Sequence, residues 1–160
     1  MNMRNSSCNK VSNMELLGKT GEKIVVNLFS RQRHLVEYAI NNFDSTKDID
    51  VEGKKNEIKT QVPFYMKNAF TFKRSQLRKC LNVDSVIFVT AMVPGSSYKH
   101  FSDGKVYMIE SKELSYSFYT TKDGREMVII PINQPNMIEL YTMTEEENTE
   151  LCRYTGSTWK

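Results

Sequence analysis

Asp48, Asp50, Glu57, Lys59 and Gln61 fall within one short run, Asp48-Ile49-Asp50-Val51-Glu52-Gly53-Lys54-Lys55-Asn56-Glu57-Ile58-Lys59-Thr60-Gln61. The run reads as two strands, at about residues 47–52 and 56–62, around a glycine turn. Side chains two apart on a strand share a face. Asp48 and Asp50 therefore share one face of the first strand, and Glu57, Lys59 and Gln61 one face of the second. Ile49, Val51 and Ile58 fall on the opposite side, as a buried face would require. Carboxylates with one amine and one amide, carried on rigid strands, have the chemistry of a divalent-metal site beside a general base or charge stabiliser. Oxygen donors suit a hard cation such as Mg²⁺, or Mn²⁺, which keeps several waters.

Several elements must position that patch. Ser12-Asn13-Met14-Glu15 is a capping box, and Ile24, Val25, Leu28 and Phe29 form an apolar stripe at helical spacing. This predicts a helix over about 14–30, with Gly18 and Gly21 as candidate breaks and a further helical stretch from His34 to Asn42. Pro63 ends the second strand because it cannot donate to a ladder. A helix over Ser75 to Leu81 and a central buried strand over Val86 to Ala91 follow. Val106 to Glu110 reads as another strand. Tyr116–Thr120 and Met127–Ile132 flank the Lys122-Asp123-Gly124 turn, and Thr144 opens a short acidic terminal helix. The pattern is mixed α/β or α+β. It predicts a loose polar tail over residues 1–13 and a single domain over 14–160.

Composition narrows the function classes. Charged residues make up 26% of the 160 and the mean hydropathy is −0.50. No apolar run approaches the ~20 residues of a membrane span, so no membrane partner is expected. Three scattered cysteines, Cys8, Cys80 and Cys152, lack zinc spacing and point to a reducing, cytoplasmic compartment. Only His34 and His100 are present, which argues against His-based metal sites and against Ser/His/Asp hydrolysis. The Gly18-Lys19-Thr20-Gly21 run lacks the upstream glycine of a P-loop.

The net charge of +3 conceals a polarity. Residues 54–79 carry eight Lys or Arg against the single acid Glu57. Alone, such a run is most often a solvated helix face. Beside a carboxylate cluster it suits a polyanion whose phosphates the bases hold while the acids hold metal. Lys54, Lys55, Lys67, Lys73, Arg74, Arg78 and Lys79 are the candidate nucleic-acid contacts. Phe64, Phe70 and Phe72, interleaved with them, are expected in the core.

An Asp, a hydrophobic residue, a glycine turn and then Glu-x-Lys resembles the PD-(D/E)XK nuclease superfamily. The resemblance covers about residues 14–92 and implies a restriction endonuclease-like core, a central mixed β-sheet flanked by helices. It implies Asp48 and Glu57 as ligands of Mg²⁺, the backbone carbonyl of Ile58 as a further ligand, and Lys59 as the group that orients or activates water. Asp50 also precedes a hydrophobic residue and is the alternative ligand; Asp48 is preferred because the strand must extend before the turn. Gln61, two past the lysine, is a candidate phosphate or water contact, and Glu22, after Gly21 on the first helix, a candidate accessory acid. The implied activity is a metal-dependent DNA endonuclease, site-specific or junction-resolving, acting as a homodimer. Two other readings stand beside it. One is a non-catalytic nucleic-acid or partner-binding module on the same fold. The other is a plain α+β domain with a charged hairpin.

Overall fold

The structure is a computed structural model that describes residues 12–32, 36–38, 48–64, 66–96 and 99–155. The first helix, α1, spans Asn13–Arg31 without a break. Ser12 caps it by accepting from the Glu15 amide at 3.1 Å, and Leu17, Ile24, Val25, Leu28 and Phe29 are buried along one side. Neither glycine interrupts it. Gly18 faces open space, whereas a Cβ on Gly21 would collide with the Thr60 side chain. Gly21 is thus the point where the helix backbone comes down onto the sheet.

The expected helix over His34–Asn42 does not form where the structure describes it. Val36–Tyr38 is instead strand β1, paired antiparallel with β2 (Ile49–Val51). The ladder offered by β2 outweighs a weak helical pattern in a β-branched and aromatic triplet. Residues 39–47 lie outside the described residues, as do residues 1–11 of the expected tail. β2 turns into β3 (Lys54–Gln61) through Glu52 and Gly53, both at positive φ (53° and 81°). That is a two-residue hairpin loop with the twist that antiparallel strands prefer.

β4 (Ala69–Lys73), a 3₁₀ turn (Arg74–Gln76) and α2 (Leu77–Leu81) lead into β5 (Ser85–Thr90), which is buried throughout. β6 (Lys105–Glu110), β7 (Ser117–Thr120), β8 (Glu126–Pro131), β9 (Ile138–Thr142) and α3 (Glu145–Cys152) follow. One sheet runs β1-β2-β3-β5-β6-β9, with β3 and β5 parallel and the other pairs antiparallel. A second, smaller sheet runs β4-β8-β7.

Two cores cover the two faces of the six-stranded sheet. On one face Ile49, Ile58, Ile87, Val89 and Val106 pack under α1 and Leu151 of α3. On the other, Val86, Phe88, Tyr107 and Ile109 pack under Leu77 and Cys80 of α2 and under Phe70, Val128 and Ile130 of the second sheet. Phe70 meets Phe88 edge to face at 4.9 Å. The molecule is therefore a mixed α/β fold, a central mixed sheet flanked by helices on both faces. The sequence pattern did not announce β4 or β9.

Candidate active site

The hairpin register decides how the acidic residues meet. Ile49 pairs with Asn56, Asp50 with Lys55 and Val51 with Lys54. Asp48 lies just beyond the end of this ladder, and its amide donates to the Asn56 carbonyl at 2.9 Å. The Asp48 charge acts on Glu57, while Asp50 sits opposite Lys55, nearer the turn.

Asp48 Oδ2 also accepts from the Ile58 amide at 2.8 Å. The N–H and C=O of one strand residue point to the same side. The Ile58 carbonyl is thus directed toward the β2 side, at the level of Asp48. The odd-numbered residues of β3 turn their backbone toward β5 instead, as the Asp84 amide on the Lys55 carbonyl and the Ala91 amide on the Gln61 carbonyl show.

Glu57 is 3% exposed and pairs with Lys59 at 3.2 Å. Burial raises its pKa, with the Asp48 charge adding to the effect and Lys59 opposing it. The Lys59 ammonium also donates to Gln76 Oε1 at 3.2 Å and lies 5.0 Å over the Phe72 ring. Its position is therefore held from three sides, by a carboxylate, an amide and an aromatic face. Glu22 arrives from α1, one residue past the point where Gly21 meets Thr60. Burial first, then the charge of Asp48, pushes its carboxyl up to about 7, with Glu57 contributing in the same direction. The Asp48 charge thus reaches both Glu22 and Glu57.

The donors are all hard oxygens, and their mutual repulsion is the condition that a bound cation relieves. Among the described residues no three His, Cys, Asp or Glu side chains converge as a ready-made metal cage. Mg²⁺ and Mn²⁺ bind through one or two carboxylates and retain waters.

Other expected residues take different places. Gln61 spends both ends of its amide on β4: Nε2 donates to the Thr71 carbonyl at 2.7 Å, and Oε1 accepts from the Thr71 amide at 2.8 Å. It clamps the second sheet onto β3. The seven basic residues do not line one surface. Lys54 and Lys55 lie at the hairpin turn, and Lys67 is exposed on the turn before β4. Lys73 is exposed at the end of β4, and Arg78 projects from α2. Arg74 stacks 4.1 Å from the Phe118 ring and pairs with Glu126 at 3.7 Å. Lys79 is close enough to lower the Glu57 pKa, so the basic segment adjoins the acidic cluster rather than standing apart beyond Pro63.

Sequence reasoning missed Gln76, Phe72 and Cys80 as the surroundings of Lys59 and Glu57. Cys80 is fully buried, and burial pushes its thiol up to about 12. Nothing in their spacing announced them, because α2 is brought over β3 by the crossover into β5. No helix among the described residues is long and apolar enough to cross a membrane. The chain matches no family model, no curated protein and no solved structure.

Proposed function

We propose that this protein is a metal-dependent endonuclease that hydrolyses phosphodiester bonds in DNA. The observation that carries the reading is the cluster at the open end of the hairpin. Asp48 Oδ2 accepts from the Ile58 amide at 2.8 Å, next to Glu57 in the chain; Lys59 is paired with Glu57 at 3.2 Å; and the Asp48 charge also reaches Glu22 of α1. Asp48, Glu57 and the Ile58 carbonyl would hold Mg²⁺ or Mn²⁺. Such an ion, when bound, supplies a water of lowered pKa and stabilises negative charge developing on phosphate oxygens.

The chain's own groups do the rest. Lys59, fixed by Glu57, Gln76 and Phe72, is placed to orient the attacking water or to neutralise the phosphate. Glu22, with a carboxyl near neutrality, can exchange a proton with water at physiological pH. Arg78 and Lys79 of α2, with Lys73 at the end of β4, would supply the positive charge along which a phosphate backbone runs. One such site per chain cuts one strand, so double-strand cleavage calls for a homodimer with two sites.

A second reading is a non-catalytic nucleic-acid or partner-binding module. One observation favours it: Asp48 and Glu57 already have protein partners in Ile58 and Lys59. One experiment separates the two. Plasmid, linear duplex and four-way-junction DNA are incubated with the purified protein, with Mg²⁺ and with EDTA. The nuclease reading expects cleavage only with Mg²⁺ and none from Glu57→Gln. DNA bound but left intact in Mg²⁺ would favour the module instead.

A further inference from the structure

Lys59 is held by an amide that has a second end. The Lys59 ammonium has three N–H donors. Glu57 takes one at 3.2 Å and Gln76 Oε1 another at 3.2 Å. The third has no protein acceptor among the described residues. Lysine only donates, so the Gln76 amide turns its oxygen to Lys59 and its Nε2 away. That Nε2 has no protein partner among the described residues either, and they do not enclose it. Gln76 is half-buried, yet this NH₂ group stands open to solvent.

The C=O and C–N bond lengths of an amide place its oxygen and nitrogen roughly 2.2 Å apart. Gln76 Nε2 is therefore within roughly 5.5 Å of the Lys59 nitrogen. A single oxygen can accept from both at hydrogen-bond lengths of about 2.9 Å. The two donors complement each other. The ammonium supplies charge, and the planar amide supplies direction.

The surroundings favour an anion as the owner of that oxygen. From Ile58 to Val83 the chain has no acidic residue. Lys73 and Arg78 are exposed on either side of Gln76 in the chain, and neither forms an ion pair among the described residues. Lys79 is near enough to act on Glu57, the partner of Lys59. Arg74 is engaged by Glu126. The positive charge that stays available thus flanks Gln76 and Lys59, as a polyanion requires.

We infer that Gln76 is a catalytic residue: its Nε2 donates to a non-bridging oxygen of the phosphate that Lys59 also binds, so that one amide both fixes the lysine and orients the phosphate. The inference rests on the nuclease reading for which phosphate is meant, the one to be cut, but the contact itself is read by binding.

The test exchanges the amide nitrogen alone. Gln76→Glu keeps an oxygen facing Lys59 and replaces the NH₂ group by a carboxylate oxygen. A residue that only anchors Lys59 would tolerate this, since Lys59 gains a charged partner. A phosphate contact would not. Binding of a labelled duplex, measured by fluorescence anisotropy with Ca²⁺ in place of Mg²⁺, should weaken by about 10- to 150-fold, with the fold intact by circular dichroism. Ser75→Glu adds the same charge at the exposed neighbouring residue and should weaken binding by about 5-fold at most. An equal loss from the two variants, or wild-type binding by Gln76→Glu, would overturn the contact. A second measurement uses the unaltered chain. By NMR, the side-chain amide signals of Gln76 should shift when duplex is added, while those of Gln61, engaged with Thr71, stay in place. A Gln76 signal that does not move would also overturn it. Cleavage in Mg²⁺ separates the two failures. Wild type that binds in this way but leaves DNA intact sinks only the nuclease reading; cleavage at the wild-type rate by Gln76→Glu sinks only the contact.

Discussion

Replacing Glu22 by Gln should stabilise the metal-free protein and remove a pH dependence from it. The carboxyl titrates at about 7 in the folded chain, against 4.5 for its ordinary value, because it is buried near Asp48 and Glu57. Below about pH 4.5 it is protonated in both states. Between about 4.5 and about 7 the folded form holds a proton that the unfolded form has lost. Stability therefore falls as pH rises through that window and levels off above it. A shift of that size corresponds at most to about 3.4 kcal/mol, at roughly 1.36 kcal/mol per pH unit. Glu22 is only partly shielded from solvent, and screening reduces the figure to about 1–2 kcal/mol. For a chain of this size that is a rise in Tm of about 2–8 °C above pH 7 in EDTA. The assay is thermal unfolding of wild type and Glu22→Gln from about pH 5 to about pH 8, with EDTA and with Mg²⁺. Wild type should gain from Mg²⁺ increasingly as pH rises, because cation and proton compete for the same charge. The variant should gain less. Parallel stability curves for the two proteins in EDTA would show that Glu22 does not share the field of Asp48 and Glu57.

Glu57→Gln should reduce Mg²⁺-dependent cleavage by at least about 100-fold while the protein stays folded, as single-turnover cleavage and circular dichroism would report. Lys59→Met should do the same, since Gln76 and Phe72 still surround the aliphatic stem. Asp48→Asn should cost far more activity than Asp50→Asn, because the Asp48 charge acts on Glu57 while Asp50 stands across from Lys55; the reverse order would move the ligand role to Asp50. Gln61→Ala removes two hydrogen bonds to Thr71 and should lower stability in urea by about 1–3 kcal/mol. Exchanging Lys73 and Arg78 for Gln should flatten the slope of log K against log salt for duplex DNA by roughly 0.9 for each phosphate that is no longer neutralised. An unchanged slope would place the DNA surface at Lys54 and Lys55 instead.

Much of the fold was legible because local signals agreed with it. The capping residues Ser12 and Thr144, the apolar stripe of α1, the β5 run and the alternation around Gly53 are all short-range patterns, and each element formed there. The face assignment of the hairpin was legible for the same reason, since alternation is a property of any strand. Three features were not. Val36–Tyr38 became a strand because a partner ladder was available. Gly21 proved to be a point of close approach rather than a helix break because Thr60, far along the chain, lies beneath it. Ala69–Lys73 and Ile138–Thr142 became strands through pairing with β8 and β6.

The sequence alone determined the chemistry on offer: carboxylates, one amine and a basic border, spaced so that they share faces of two strands. Only the tertiary structure decided which of them meet. A hydrogen bond from the Ile58 amide holds Asp48 beside β3, and register sets Asp50 opposite Lys55. The crossover brought Gln76 and Phe72 around Lys59 and Lys79 toward Glu57. The second sheet took Gln61 for its own anchorage. Each of these depends on residues distant in the chain meeting in space, and a spacing pattern carries no information about which distant element will cover it.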